Sequence, residues 1–275
     1  MANTWIKNVK SDDPMFNNPF THFLYYGRGD EKLRYHQEFL ISIEAKISIV
    51  RFFYQELLQS LPDYQSESEL LRRQGYVDGH STFILVVKYE TFLNSIYGLM
   101  ENIAFVVRQL FPKYKLPYMF HAQKDRFHKD RTIDEQYADI LDSLEWYDEI
   151  RVMRAEFTHF LSGILVSFQT GVPGYMNKIS SKRKDTQERI EKKDISEHAE
   201  HILEQLISFL RRSGEYFLNY IDKDVKIPHL CGVTNNGRIG ARNLSYNDMM
   251  TGYHGVCAVP GLNCPDADVC KARKE

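Results

Sequence analysis

The chain has 275 residues, 43% of them hydrophobic and 26% charged, with a formal net charge of -2 and a pI near 6.6. That balance excludes a broad cationic surface of the kind that coats nucleic acid, while leaving room for a local basic cleft. No run approaches the roughly 18 to 20 apolar residues of a membrane span, and the polar start from Met1 to Asp13 lacks a secretory leader's apolar segment, so a cytoplasmic address with no membrane partner is expected.

In chain order, Leu33, Leu40, Ile43, Ile47, Val50, Phe53, Tyr54, Leu57 and Leu58 recur every three or four residues. They predict a helix over about 31–60, stopped at Pro62. A second helix is predicted over about 82–111, with Phe83, Val86, Val87, Phe92, Ile96, Leu99, Ile103, Val106, Val107 and Leu110 facing inward and Pro112 ending it. Thr132-Ile-Asp-Glu135 reads as a capping box ahead of a short helix to Leu144. Another helix is expected from about Glu145 to Gln169, after which Gly171, Pro173 and Gly174 break the chain. The charged stretch Lys182 to Lys193 reads as a solvated loop or an exposed helix start. A last long helix from about Asp194 to Ile221 presents Ile195, Ile202, Leu206, Phe209, Leu210, Phe217, Leu218 and Ile221. Beyond Asp222 the helical stripe stops and Gly, Asn, Pro and Cys become frequent. The expected architecture is therefore an all-α bundle of four or five long helices over 1–221, followed by an irregular cysteine-containing segment over 222–275, with minor β content.

The segment Glu149-Ile-Arg-Val-Met-Arg-Ala-Glu-Phe-Thr-His159 carries the strongest chemical signal. A guanidinium forks onto phosphate oxygens at any pH, and an imidazole exchanges a proton near neutrality, so Arg154 and His159 together suit a phosphodiester without a metal or other cofactor. Spacing alone discriminates little: 17 arginines and 10 histidines yield about two Arg-x(4 to 6)-His matches by chance, and the chain has two. The other, Arg73 to His80, straddles Gly75 and Gly79 and falls in a predicted loop, whereas Arg154 lies in a periodic helix. On a helical wheel Trp146, Ile150, Met153, Phe157, Phe160, Leu161, Ile164, Leu165 and Phe168 form the core-facing stripe, with His159 nearly opposite. Asp148, Arg151, Ala155, Ser162 and Val166 share the outward side, which suits a second packing face or a two-fold axis. Arg154 and His159 diverge by about 140°, so they flank a groove; Arg151, about 80° from His159, and Glu156, one turn before it, are the supporting residues. Chemistry alone leaves a plain surface helix, a phosphodiester site and a noncatalytic interface all open.

The same segment resembles the signature of the HEPN superfamily, helical-bundle proteins with an Arg-x(4 to 6)-His motif on a late helix. The resemblance implies a homodimer whose paired motifs form a metal-independent endoribonuclease site, often in toxins and antiviral defence; the sequence identifies no antitoxin partner. It implies that Arg154 binds the scissile phosphate and that His159 serves in proton transfer or transition-state stabilisation. The position after the arginine, commonly polar in that family, is Ala155. Cleavage of single-stranded RNA is the first expectation, and a noncatalytic helical dimerisation module the alternative.

Other constellations have plainer readings. His121, Lys124, Arg126, His128, Lys129 and Arg131, interleaved with Phe120 and Phe127, suit either an RNA-guiding surface or a solvated loop. His198 and His201, flanked by Glu197 and Glu204, lie at helical spacing for a metal but lack the paired Glu-x-x-His pattern of a di-iron bundle, and a metal-dependent helical enzyme is the third reading. Glu90 and Glu101 read as surface or capping carboxylates. The only cysteines, Cys231, Cys257, Cys264 and Cys270, with His229 and His254 nearby, are weak zinc candidates, because their spacing lacks Cys-x-x-Cys pairs; disulfides or free thiols are the alternatives.

Overall fold

The computed structural model describes residues 13–33, 36–159, 162–169, 171–178, 189–233, 239–250 and 256–257. Its helices are α1 (Pro19–Tyr26), α2 (Gln37–Gln74), α3 (His80–Leu110), α4 (Phe120–Lys129), α5 (Glu135–Asp142), α6 (Glu145–His159), α7 (Ile195–Phe217) and the short α8 (Tyr246–Met250). The fold is mainly helical, but the all-α expectation needs correcting. Strands β1 (Ile164–Gln169), β2 (Val172–Lys178) and β3 (Arg189–Lys192) form one antiparallel sheet, and β4 (Ile227–Val233), β5 (Ile239–Leu244) and β6 (Val256–Cys257) form another. The tail expected to be irregular thus carries paired strands and α8 in its described part.

Helices α2 and α3 make a long antiparallel hairpin that supplies one wall of the core. Leu40, Ile43, Ile47, Val50 and Leu57 of α2 meet Val86, Phe92, Ile96, Leu99 and Ile103 of α3, all buried as the periodicity requires. Two residues assigned inward, Phe83 and Val87, are instead exposed, at 64% and 41%. Pro62 does not stop α2, which runs on to Gln74. The lost N–H would have paired with the carbonyl of Leu58, on the exposed side of the helix, where water can solvate that carbonyl in its place. The helix ends at Gly75, whose φ of +78° provides the left-handed cap that a side chain disfavours.

Side-chain capping sets the starts of α1, α5 and α7. Asn18 accepts the N–H groups of Phe20 and Thr21 to open α1, and Asp194 accepts those of Ser196 and Glu197 to open α7. For α5 the cap is Asp134, which accepts the Tyr137 N–H, two residues after the expected Thr132. Helix α7 lies directly on the start of α1: a Cβ at Gly214 would come within 2.0 Å of the Phe20 backbone nitrogen, so only glycine fits that crossing. Residues after the expected boundary at 222 pack back on the same region, with the Asp222 N–H bonded to Asp30 and the Tyr25 hydroxyl to the Pro228 carbonyl.

The largest departure from the sequence reading lies just past the motif. The helix expected to reach Gln169 ends at His159, and Ile164–Gln169 is strand β1. A Cβ on Gly163 would fall 2.2 Å from the Tyr175 ring, so the chain turns where β2 presses closest. After the turn, β-branched Ile164 and Val166 suit the pleated ribbon better than a helix. Gly171, with φ of +77°, sits in the connection between β1 and β2, and Pro173 and Gly174 lie within β2 instead of breaking the chain.

Candidate functional site at the α3 and α6 contact

Helix α6 buries Trp146, Tyr147, Ile150, Met153 and Glu156, so the first half of the expected apolar stripe faces the core. Its second half does not exist as helix: Ile164 is exposed on β1, while Phe160 and Leu161 lie outside the described residues. The Arg154 guanidinium lies over the Tyr97 ring of α3, 4.6 Å from its centroid, and its Nε points at the Asn94 side-chain oxygen at 3.5 Å. Tyr97 in turn stacks on Tyr147, whose hydroxyl donates to Glu101. Burial raises the Tyr97 hydroxyl pKa, with Glu101 adding to the rise and Arg154 and Arg151 opposing it.

Arg151 is exposed, and neither Arg151 nor Arg154 has a carboxylate partner among the described residues. The cations of α4 and the segment after it contrast sharply. Lys124 pairs with Asp148, Arg126 with Asp130, His128 with Asp142, and Arg131 with both Asp139 and Asp142. Phe120 and Phe127 are fully buried. The stretch considered as an RNA-guiding surface is therefore a core helix with most of its charges paired, exposed Lys129 being without an ion-pair partner among the described residues.

His159 is the last residue of α6, exposed and without a hydrogen-bond or ion-pair partner among the described residues. One protomer does not bring it onto the Arg154 side: Arg154 leans on α3, whereas His159 ends the helix in solvent. Glu156, the orienting carboxylate on sequence spacing, is buried.

What organises the motif is a polar stripe on α3 that the sequence reading missed. Glu90, Asn94, Tyr97 and Glu101 recur at intervals of four, three and four, which aligns them on one face. Glu90 is buried and accepts from the Gly163 N–H at 2.8 Å, the Tyr175 hydroxyl at 2.8 Å and the Ser162 hydroxyl at 3.1 Å. It thereby ties down the chain immediately after the motif. Glu101 also accepts the Phe120 N–H at the start of α4, so the capping role expected for it is present. The missed signal was the heptad-like recurrence of polar residues inside an otherwise apolar helix.

The first turn of α7 is also engaged. His198 Nε2 donates to Glu149 at 3.0 Å, and its Nδ1 lies 2.7 Å from the buried Tyr89 hydroxyl. Lys192 of β3 joins the same carboxylate. The hydrogen bond from His198 holds the Glu149 carboxyl down at about 2, with Lys192 adding to the effect and partial burial opposing it. His198, proposed with His201 as a metal pair, is thus spent on a tether linking α3, α6, α7 and β3. Among the described residues no group of three or more His, Cys, Asp or Glu is placed to hold a metal. Cys231 and Cys257 lie on β4 and β6, separated by β5; Cys264, Cys270 and His254 are outside the described residues.

Comparisons with protein-family models, curated proteins and solved structures gave no match to this chain. Among the described residues no helix is long and apolar enough to cross a membrane.

Proposed function

We propose that this protein is a HEPN-like, metal-independent endoribonuclease acting on single-stranded RNA, with Arg154 and Arg151 gripping phosphate and His159 exchanging protons. The observation that supports this reading is the pair of carboxylate-free arginines on α6, set against the paired Lys124, Arg126 and Arg131 nearby in sequence. A guanidinium held over a ring without a carboxylate partner still has N–H donors free to fork onto phosphate oxygens. In the reaction the ribose 2′-oxygen forms a bond to phosphorus while the bond to the 5′-oxygen breaks. A base removes the 2′-hydroxyl proton, an acid delivers one to the leaving oxygen, and the arginines offset charge at phosphorus. The products are a cyclic phosphate and a free 5′-hydroxyl. Because Arg154 and His159 diverge on one helix, a homodimer that sets the His159 of one protomer across from the Arg154 of the other completes the site.

Incubating purified protein with uniform single-stranded RNA, with and without EDTA, tests this. Cleavage that survives EDTA and disappears in His159→Ala supports the reading; cleavage absent from the wild type, or unaffected by that change, ends it.

A noncatalytic dimerisation module is the second reading, favoured by a separate surface. The outward line of α2 carries Ile41, Ala45, Ser48, Ile49 and Phe52, exposed and uncharged over three turns. Such a stripe on a helix that otherwise shows solvent a polar face suits association. A dimer that binds no RNA would favour this module.

A further inference from the structure

We infer that Arg108 and Tyr118 form a second subsite for the same single-stranded RNA, remote from the reacting phosphate; this rests on the RNA reading above. The Arg108 guanidinium lies 3.5 Å from the Tyr118 ring centroid, repeating at the far end of α3 the arrangement of Arg154 over Tyr97. Tyr118 is 70% exposed and Met119 beside it 56%. No other aromatic ring stacks on Tyr118 among the described residues.

Position argues that the two stacks serve one strand. Arg108 follows Tyr97 by eleven residues, which on a helix is about 20° of rotation and about 16 Å of rise, so both sit on one side of α3. At about 3.4 Å per stacked nucleotide, that separation spans roughly five nucleotides. The two stacks are joined through the core beneath them: Tyr97 stacks on buried Tyr147, Tyr147 donates to Glu101, and Glu101 accepts the N–H of buried Phe120, directly after Tyr118 and Met119. The turn closing α3 adds exposed Lys113 and Lys115, and none of Arg108, Lys113 and Lys115 has a carboxylate partner among the described residues. Unpaired cations interleaved with exposed rings are what a single strand needs: phosphates meet the cations, and unpaired bases stack on the rings. A duplex would not present its bases to Tyr118.

The test uses the full-length protein and 5′-labelled 2′-O-methyl oligouridines of 3 and 12 nucleotides, which cannot be cleaved, with fluorescence anisotropy as the readout. The 12-mer should bind at least about tenfold more tightly than the 3-mer. Arg108→Ala with Tyr118→Ala should remove that advantage, flatten the salt dependence of 12-mer binding and leave 3-mer binding unchanged. Arg108→Lys alone should lose part of the advantage, since it keeps charge but not the flat fork. A thermal melt matching the wild type shows that these exposed substitutions leave the fold intact. Equal 12-mer affinity for wild type and double variant overturns the subsite, even if RNA cleavage is lost in His159→Ala. Length-dependent binding that needs Arg108 and Tyr118, in a protein that cleaves no RNA, retains the subsite and removes the nuclease. Binding of neither oligomer removes both.

Discussion

Arg154 rests over the Tyr97 ring, so the most chemically telling side chain of α6 is held by α3, not by its own helix. Ring and guanidinium fix each other's orientation, and Asn94 adds a polar contact at the guanidinium edge. A residue held in this way loses little rotamer freedom when it meets a phosphate, which is a condition for strong electrostatic stabilisation of a transition state. On the nuclease reading, Arg154→Ala should lower RNA cleavage by at least about 100-fold. Arg154→Lys should recover less than about a tenth of the loss, because an ammonium neither stacks nor forks. Tyr97→Leu should cost about tenfold by unseating the guanidinium, with kcat falling more than KM rises. Steady-state kinetics on a labelled RNA checks all three, and an Arg154→Ala protein that cleaves like wild type removes Arg154 from the site.

The turn after the motif makes a structural prediction that needs no assay of function. A Cβ at position 163 would overlap the Tyr175 ring, and that ring cannot swing away easily because its hydroxyl is bonded to Glu90. Gly163→Ala should therefore destabilise the protein by about 2 to 3 kcal/mol, within the usual range for overpacking. Urea denaturation followed by circular dichroism measures it, and a loss below about 0.5 kcal/mol would mean that the contact relaxes freely.

These two residues also show what the sequence could and could not convey. The 3.6-residue apolar period made α2, α3 and α7 readable, because each buries one continuous stripe against the others. It failed over 164–169, where hydrophobic residues of β1 happened to extend the α6 stripe and so mimicked further helical turns. Gly163 and the positive φ of Gly171 mark the turn and the hairpin, yet whether a glycine is there for conformation or for close approach depends on Tyr175, which is distant in sequence. Arg154 and His159 were legible as chemistry. Their separation on the folded chain was legible only as an angle, and the residues that hold Arg154 belong to another helix. Glu90 reads as one more helix carboxylate until the Gly163 N–H is found bonded to it.

Acid should loosen the tether between α6 and α7. The folded Glu149 carboxyl titrates at about 2 against an ordinary value of 4.5, so its contribution is complete above pH 4.5 and is lost as pH falls from 4.5 through 2. The side chain is 38% exposed, and solvent screening limits the effect to about 1 kcal/mol. Wild type should lose that much more stability over this interval than Glu149→Gln, whose amide cannot titrate. Urea midpoints at pH 5, 3.5 and 2.5 for both proteins provide the check, and parallel pH dependences would show that Glu149 is not held down in the folded state.

Tyr137 offers the reverse case, a buried polar group that weakens the fold. Its ring is packed among Phe127, Tyr216 and Phe217 with centroids 5.1 to 5.4 Å away, so the aromatic part is well used. Its hydroxyl is fully buried and has no hydrogen-bond partner among the described residues. Burial drives that hydroxyl's pKa far above the ordinary tyrosine value, which keeps it neutral at every pH the fold survives. A neutral hydroxyl still loses its bonds to water on burial, at a cost of about 1 to 3 kcal/mol when nothing replaces them. Tyr137→Phe removes that cost and leaves the ring contacts in place, so it should stabilise the protein by about 1 kcal/mol. A rise in the thermal midpoint by a few degrees is the expected result; a fall would mean that the hydroxyl is bonded in solution and contributes to the core.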